Sequence, residues 1–399
     1  MNLDQNRPSI AQRLYALFSS YDNYTTFSSN TFGAQADSIE SLHDTIHSLV
    51  GGFGPGQPTQ AGHMAFIQWS AFDPVFFLHH CMVDRVLAIW QTLHPAEWVT
   101  PSRALTNSYT IRRGQALSAT TPLTPFFAND NGTFWDSDGV RDHTRFGYTY
   151  AELVRASPSS GNTKVAAHPN TTKQAINRLY GAFSPASVFL KELRASGLKT
   201  SSSENTETTE TTETNEPKSD SERGRFPAKT TKKLFVGDHY HEWTANVRVG
   251  NPALADASAI HFFLGDAPSD ARDWAGAPNH VGAMGVFGSA EIPGGGGGGG
   301  SGQESHHDME YAGTVPLTAA LVGMVERGEL ESLEPEDVEG LLRKGLNVRV
   351  LGRDGSVVEG VEGCVQGLGV AVVSSLVRAP ESEEELPRWG EGRVWFEMC

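Results

Sequence analysis

Cysteine is scarce: the 399 residues contain three, Cys81, Cys364 and Cys399, too few for a disulfide framework and suited to a reducing compartment. Positive charge is also short. Lys and Arg number 31 against 47 Asp and Glu, a formal net charge of −16, which argues against a surface built for nucleic-acid phosphate or anionic lipid. No apolar run approaches the roughly 20 residues of a membrane helix. Met1 to Gln5 have neither the basic nor the apolar stretch of a secretory leader. The expectation is an acidic, cytoplasmic protein with no nucleic-acid or membrane partner. In that setting the Asn-x-Thr triplets at Asn23, Asn131 and Asn170 carry no weight.

What the chain does have is length for about two domains, and its composition divides it accordingly. The tract SSSENTETTETTETNEPKSDSERGRFPAKTTKK (201–233) has almost no aliphatic residues, so it cannot bury enough surface to offset its ordering entropy and reads as a disordered linker over 199–233. A glycine run at 294–300 reads as a flexible loop. Upstream, helical spacing places Ile10, Leu14, Leu17 and Phe18 on one stripe and Ile39, Leu42, Ile46 and Leu49 on another, with Ser38 as N-cap. Asp73-Pro74 opens a helix to about Gln91 and Ala175–Leu198 a further one, while 118–157 reads as irregular. Downstream, short β-branched runs at 242–249, 259–264, 281–287, 346–351 and 370–377 predict an antiparallel sandwich or barrel, with helices interposed at 316–330 and 334–342. The expected class is α+β: a helical domain over 1–198, the linker, and a β-sandwich-like domain over 234–399.

The chemistry lies in histidines. His43 and His47 sit four apart on a predicted helix, a spacing that lets both imidazoles reach one metal ion and that also occurs in plain surface pairs. His79 and His80 follow Phe76, Phe77 and Leu78 in a helix whose remaining residues are largely apolar. A buried imidazole there needs a hydrogen bond or a metal, and neutral imidazole suits Cu, Zn, Fe and Ni. Asp84, four residues past His80, is placed to orient a histidine through its second ring nitrogen. His79 and Cys81 each lie about 100° around the helix from His80. The expectation is therefore that His79 stays out of the group and that Cys81 is a buried, inert thiol.

The run DPVFFLHHCMVDR (73–85) resembles the second-copper signature of the tyrosinases, with His80 as ligand and Asp84 as its terminal acid. HxxxH at His43 and His47 is similar to the other two ligands of that copper, and both its 33-residue separation from His80 and the Val50-Gly51-Gly52 after it resemble fungal members. FGYTY (146–150) resembles the tyrosine motif that closes the family's catalytic core. The stretch from Tyr240 is similar to the C-terminal domain that shields the latent enzyme and is released by cleavage in the linker. The resemblance implies a type 3 copper site, in which two copper ions, each held by three histidines, use dioxygen to hydroxylate monophenols and oxidise o-diphenols to o-quinones in pigment (melanin) formation. It also implies phenolic substrates, dioxygen and an activating protease at the linker as partners. Glu40 falls where the family often has a glutamate that holds a water near copper, and it is equally placed as a carboxylate favoured by the helix dipole. Asp44 stands where Asn is frequent in strongly monophenol-active members, which makes diphenol oxidation the surer activity. Phe76 resembles the gate aromatic above the second copper and is also a plausible core residue.

The ligands of the first copper have no counterpart. No histidine precedes His43, and His63, His94, His143 and His168 do not form a second HxxxH pair. The chain is therefore expected to be either an N-terminally incomplete copy of a tyrosinase-type oxidoreductase or a diverged half-site protein that binds one copper without catalysis. A zinc hydrolase is disfavoured because the pair lacks the general-base glutamate of HExxH.

Overall fold

The computed structural model of the chain describes residues 2–30, 37–53, 61–105, 110–157, 160–166, 168–195, 233–250, 257–287, 310–360, 365 and 367–398. The expected linker, apart from Lys233, lies outside these residues, as do the glycine run, Cys364 and Cys399. Helices dominate the first half: α1 (Asn2–Ser20), α2 (Tyr24–Ser28), α3 (Ile39–Gly51), α4 (Val75–Leu93), the short α5 (Ser137–Val140), α6 (Pro169–Tyr180) and α7 (Pro185–Ala195). Two small antiparallel pairs interrupt them, β1 (Ser102–Arg103) with β2 (Ala116–Leu117), and β3 (Val154–Ser157) with β4 (Ser160–Ala166). The helix expected over 175–198 is two, because Gly181 and Ser184-Pro185 break it. No helix of the described residues is long and apolar enough to cross a membrane.

The second half holds β5 (His239–Gly250), β6 (Ala257–Leu264), β7 (His280–Gly285), β8 (Glu310–Pro316), helices α8 (Thr318–Arg327) and α9 (Pro335–Gly345), then β9 (Leu346–Gly352), β10 (Val357–Val358), β11 (Leu368–Arg378) and β12 (Arg388–Met398). They form two four-stranded antiparallel sheets, ordered β10-β9-β6-β7 and β12-β11-β5-β8. Trp243, Val247, Ile260, Phe262, Val315, Leu321, Val350 and Val372 fill one apolar core contributed by both sheets and α8. The class is thus α+β.

The halves are packed together. The helical core of Leu17, Phe18, Phe27, Ile89, Trp90 and Tyr180 continues into Tyr240 of β5 and Val377 of β11. The Ala312 N–H bonds the Asn30 carbonyl at 3.1 Å, and Trp389 Nε1 donates to Ser19 Oγ at 2.9 Å. Arg13, fully buried in α1, grips Asp37 through Nε and Nη2 (2.9 and 2.6 Å) and donates to Thr45 and Ser41 of α3. It fixes α3 between α1 and β7.

Candidate metal centre

α3 starts where Ser38 Oγ accepts the Ser41 N–H at 3.0 Å, satisfying an orphan donor of the first turn. Leu42 and Leu49 bury one stripe, and His43 and His47, one turn apart, share another face. α4 starts where Asp73 Oδ1 accepts the Val75 N–H at 3.0 Å, and it brings His79 and His80 against that face. The end of α3 is set by a close approach, since a Cβ on Gly51 would lie 2.2 Å from the Ala65 nitrogen. This contact holds the turn His63–Ala65 against the helix, and from it the Met64 carbonyl reaches His47.

His43, His47 and His80 are each tied to an oxygen through Nδ1. His47 Nδ1 lies 2.9 Å from the Met64 carbonyl, and His80 Nδ1 lies 2.8 Å from the Phe76 carbonyl. A carbonyl only accepts, so Nδ1 donates in both and Nε2 is left with its lone pair. His43 Nδ1 lies 3.0 Å from Asp44 Oδ1, and its Nε2 is 3.2 Å from His80 Nε2. A ring nitrogen tied to an oxygen while the other faces a common point is the arrangement of metal-ligating histidines.

Burial disfavours protonation of His47, His79 and His80. It pulls His47 down to about 4 and His79 down to about 3, and lowers His80 as well. The Nε2 atoms of His47 and His79 are buried without a hydrogen-bond partner, a costly state unless a metal takes the lone pair. Neutral nitrogen donors without thiolate or carboxylate suit copper, so the residues fit the metal that the sequence implied.

Other expectations are modified. His79 is not turned away: it is buried, its ring lies 5.0 Å from those of His43 and His47, and donor atoms of His43, His47 and His79 lie within 4.8 Å of one another. Four imidazoles therefore converge: His80 is anchored on the Phe76 carbonyl, and His79 is backed by the His43 backbone with its buried Nε2 left without a partner. Asp84 does not orient His80. Its Oδ2 accepts the hydroxyls of Tyr148 (2.8 Å) and Tyr150 (2.5 Å), so the tyrosine motif is tied to α4 through it. Cys81 is exposed rather than buried, because it shares with Phe77 and Leu78 the outward side of the first turns of α4. Glu40 is exposed in the first turn of α3, and its Oε2 accepts the Asn30 N–H at 2.9 Å. Phe76 lies with its ring 3.9 Å from that of His80. Asp44 is buried, and burial raises its carboxyl to about 6 against the opposing pull of His43.

One residue escaped sequence reading. Phe287, two residues past β7, stacks on His47 with ring centroids 4.1 Å apart and planes 17° from parallel, and stands edge-on to His43. It closes the site from the β-rich half. Its only trace in the sequence is the motif GVFGS, within the stretch that resembles a shielding domain.

Comparison with known proteins bears on both halves. A family model for the common central domain of tyrosinase matches residues 1–93, and one for the tyrosinase C-terminal domain matches residues 242–372. A tyrosinase of Neurospora crassa is 28% identical over 443 residues, covering 96% of this chain and 62% of that protein. One of Podospora anserina is 29% identical over 335 residues, covering 79% of this chain and 55% of that protein. The chain thus spans less than two thirds of the length of these relatives. A mushroom tyrosinase crystallised in latent and active forms superimposes with a TM-score of 0.67 at 22% identity, over 98% of this chain and 61% of that one. The Aspergillus oryzae pro-tyrosinase gives 0.51 at 19% identity, over 96% of this chain and 52% of that one. These two likenesses concern the fold.

Proposed function

The chain belongs to the tyrosinase family, in the form that carries a C-terminal domain, and from that premise we propose that it serves copper-dependent oxidation of phenols to o-quinones. The observation that carries the reading is the convergence of anchored imidazoles on α3 and α4. His43, His47 and His80 would hold the metal through Nε2. Copper, when bound, supplies the redox chemistry that moves two electrons from an o-diphenol to dioxygen, with two protons leaving the hydroxyls.

The chain's own residues do the rest. Phe76, packed on His80, offers an apolar wall for a phenol ring. Glu40, fixed by the Asn30 N–H at Oε2, keeps Oε1 free to hold a water or take a phenolic proton. Phe287 occupies the space over His47 in which a substrate ring would stack, so the β-rich half acts as a shield. Protease cleavage within 199–233 is the proposed release step, and the Asp44 carboxylate beside His43 biases the activity toward diphenols. The cytoplasm is the proposed compartment.

Among the described residues one histidine group is found, enough for one ion, whereas the family's chemistry uses a pair. We therefore expect the 399-residue chain to bind copper but turn over little catechol, and turnover to appear when a further three-histidine region is supplied and the shield is released. Oxygen uptake with 4-methylcatechol, on the chain alone and on the extended chain, tests this. Turnover by the chain alone, lost in His47→Ala, would overturn the two-copper requirement. Copper binding with no turnover in either form would favour the second reading, a mononuclear copper protein without catalysis.

A further inference from the structure

β7 lies directly on the helix that carries two of the histidines. A Cβ at Gly285 would stand 2.6 Å from the Asp44 carbonyl oxygen, the Thr45 Cα and Ser48 Oγ, two of them backbone atoms that cannot swing aside. The Gly285 N–H donates to Thr45 Oγ1 at 3.1 Å, and the same oxygen accepts from buried Arg13 at 2.9 Å, so strand, helix α3 and helix α1 meet at one hydroxyl. Gly285 has no positive φ, so the strand itself tolerates a side chain there. Only α3 forbids one. Gly285 abuts Asp44, Thr45 and Ser48, and Phe287 stacks on His47 of the same helix, so a side chain at 285 would push against α3 beside the ring that covers His47.

We propose that Gly285 is the positioning residue that sets how deeply Phe287 seats over His47, and that any side chain at 285 lifts the shield from the histidines without cleavage of the chain. The inference rests on the reading of Phe287 as a shield. It predicts a graded series. Gly285→Ala meets backbone and has no relief. Gly313→Ala on β8 meets Ser41 Oγ at 2.4 Å and Met284 Sδ at 2.7 Å, side-chain atoms that can move, and should act more weakly. Gly340→Ala on α9 meets nothing within 4 Å and should not act at all.

The test uses the full metal-free chain, with modification of His47 by diethyl pyrocarbonate mapped by mass spectrometry and amide exchange followed over β7, α3 and the β5–β11 pair. Gly285→Ala should raise the His47 rate by about tenfold or more, as expected when a local closed state is destabilised. It should deprotect residues 280–287 and leave β5–β11 protected. Phe287→Ala should raise the His47 rate while residues 280–285 stay protected. Wild-type reactivity in Gly285→Ala, or opening only together with loss of β5–β11 protection, would overturn the seat. An unreactive His47 in Phe287→Ala would instead overturn the shield reading on which it rests.

Discussion

At the scale of single residues, the site depends on which ring nitrogens remain available. His47→Ala and His80→Ala each remove an Nε2 donor whose ring is anchored through Nδ1 and should abolish stoichiometric copper binding. His79→Ala should retain one copper, because the proposed ligands His43, His47 and His80 remain. Isothermal titration with Cu(II) distinguishes these variants, and loss of binding in His79→Ala with retention in His80→Ala would exchange their roles. Asp44→Ala leaves His43 in place but frees its Nδ1, and removal of such a supporting partner typically weakens a metal by about 10–100-fold. The meeting of His43 and His47 with His80 was legible because HxxxH and the signature around His80 are local patterns. Phe287 was not, because its stacking on His47 spans two sheets and the whole interface. His79 was misjudged by treating neighbouring helical positions as pointing apart, whereas a short imidazole at the mouth of two crossing helices meets its neighbours from either angle.

At the scale of elements, α3 is held by its cap and by Arg13. Ser38→Ala should cost about 1 kcal/mol, the usual worth of an N-cap. Asp37→Ala, which leaves the buried Arg13 guanidinium without its carboxylate, should cost about 3–5 kcal/mol, and thermal or urea unfolding of the two variants should preserve that order. Glu242 on β5 supplies a pH dependence at the junction with α1. It is buried against Gln12, Tyr15, Tyr240 and Thr318, and burial raises its carboxyl to about 7. Because the folded state holds the proton more tightly than the unfolded chain, this carboxyl costs nothing at pH 4 and destabilises increasingly as pH rises toward 7. Glu242→Gln should therefore match the wild type near pH 4 and exceed it at pH 8, by on the order of 1–3 kcal/mol. Equal stability at pH 8 would show that the carboxylate is solvated in the fold. The elements with clean periodicity, α3, α4, β5, β6, β9 and β11, were legible in sequence. β12 was not: most of its residues from Arg388 to Glu397 are exposed, so no alternation marks it. β3 and β4 were hidden in a turn-rich stretch, and the start of α1 was obscured by Pro8.

At the scale of the whole molecule, two faces of the histidine site differ. One is sealed by the β-rich half through Phe287, while the start of α4 leaves Phe72, Phe77 and Leu78 exposed at 75%, 58% and 72%. Such an apolar patch next to a metal site favours self-association, so replacing Phe77 and Leu78 by Ser should lower concentration-dependent light scattering without changing copper stoichiometry. The change from mostly helices to mostly strands after residue 200 was legible in the residue patterning, but the intimacy of the packing was not, since it depends on glycines and small residues whose contacts lie far apart in sequence. The central claim is that α3 and α4 form one copper site from His43, His47 and His80. Its most direct measurement is copper content and electron paramagnetic resonance of the Cu(II)-loaded 399-residue chain after removal of free metal: the account predicts one copper per chain with nitrogen ligation, lost in His47→Ala and in His80→Ala, whereas a chain that retains no copper, or retains it undiminished in those variants, would contradict it.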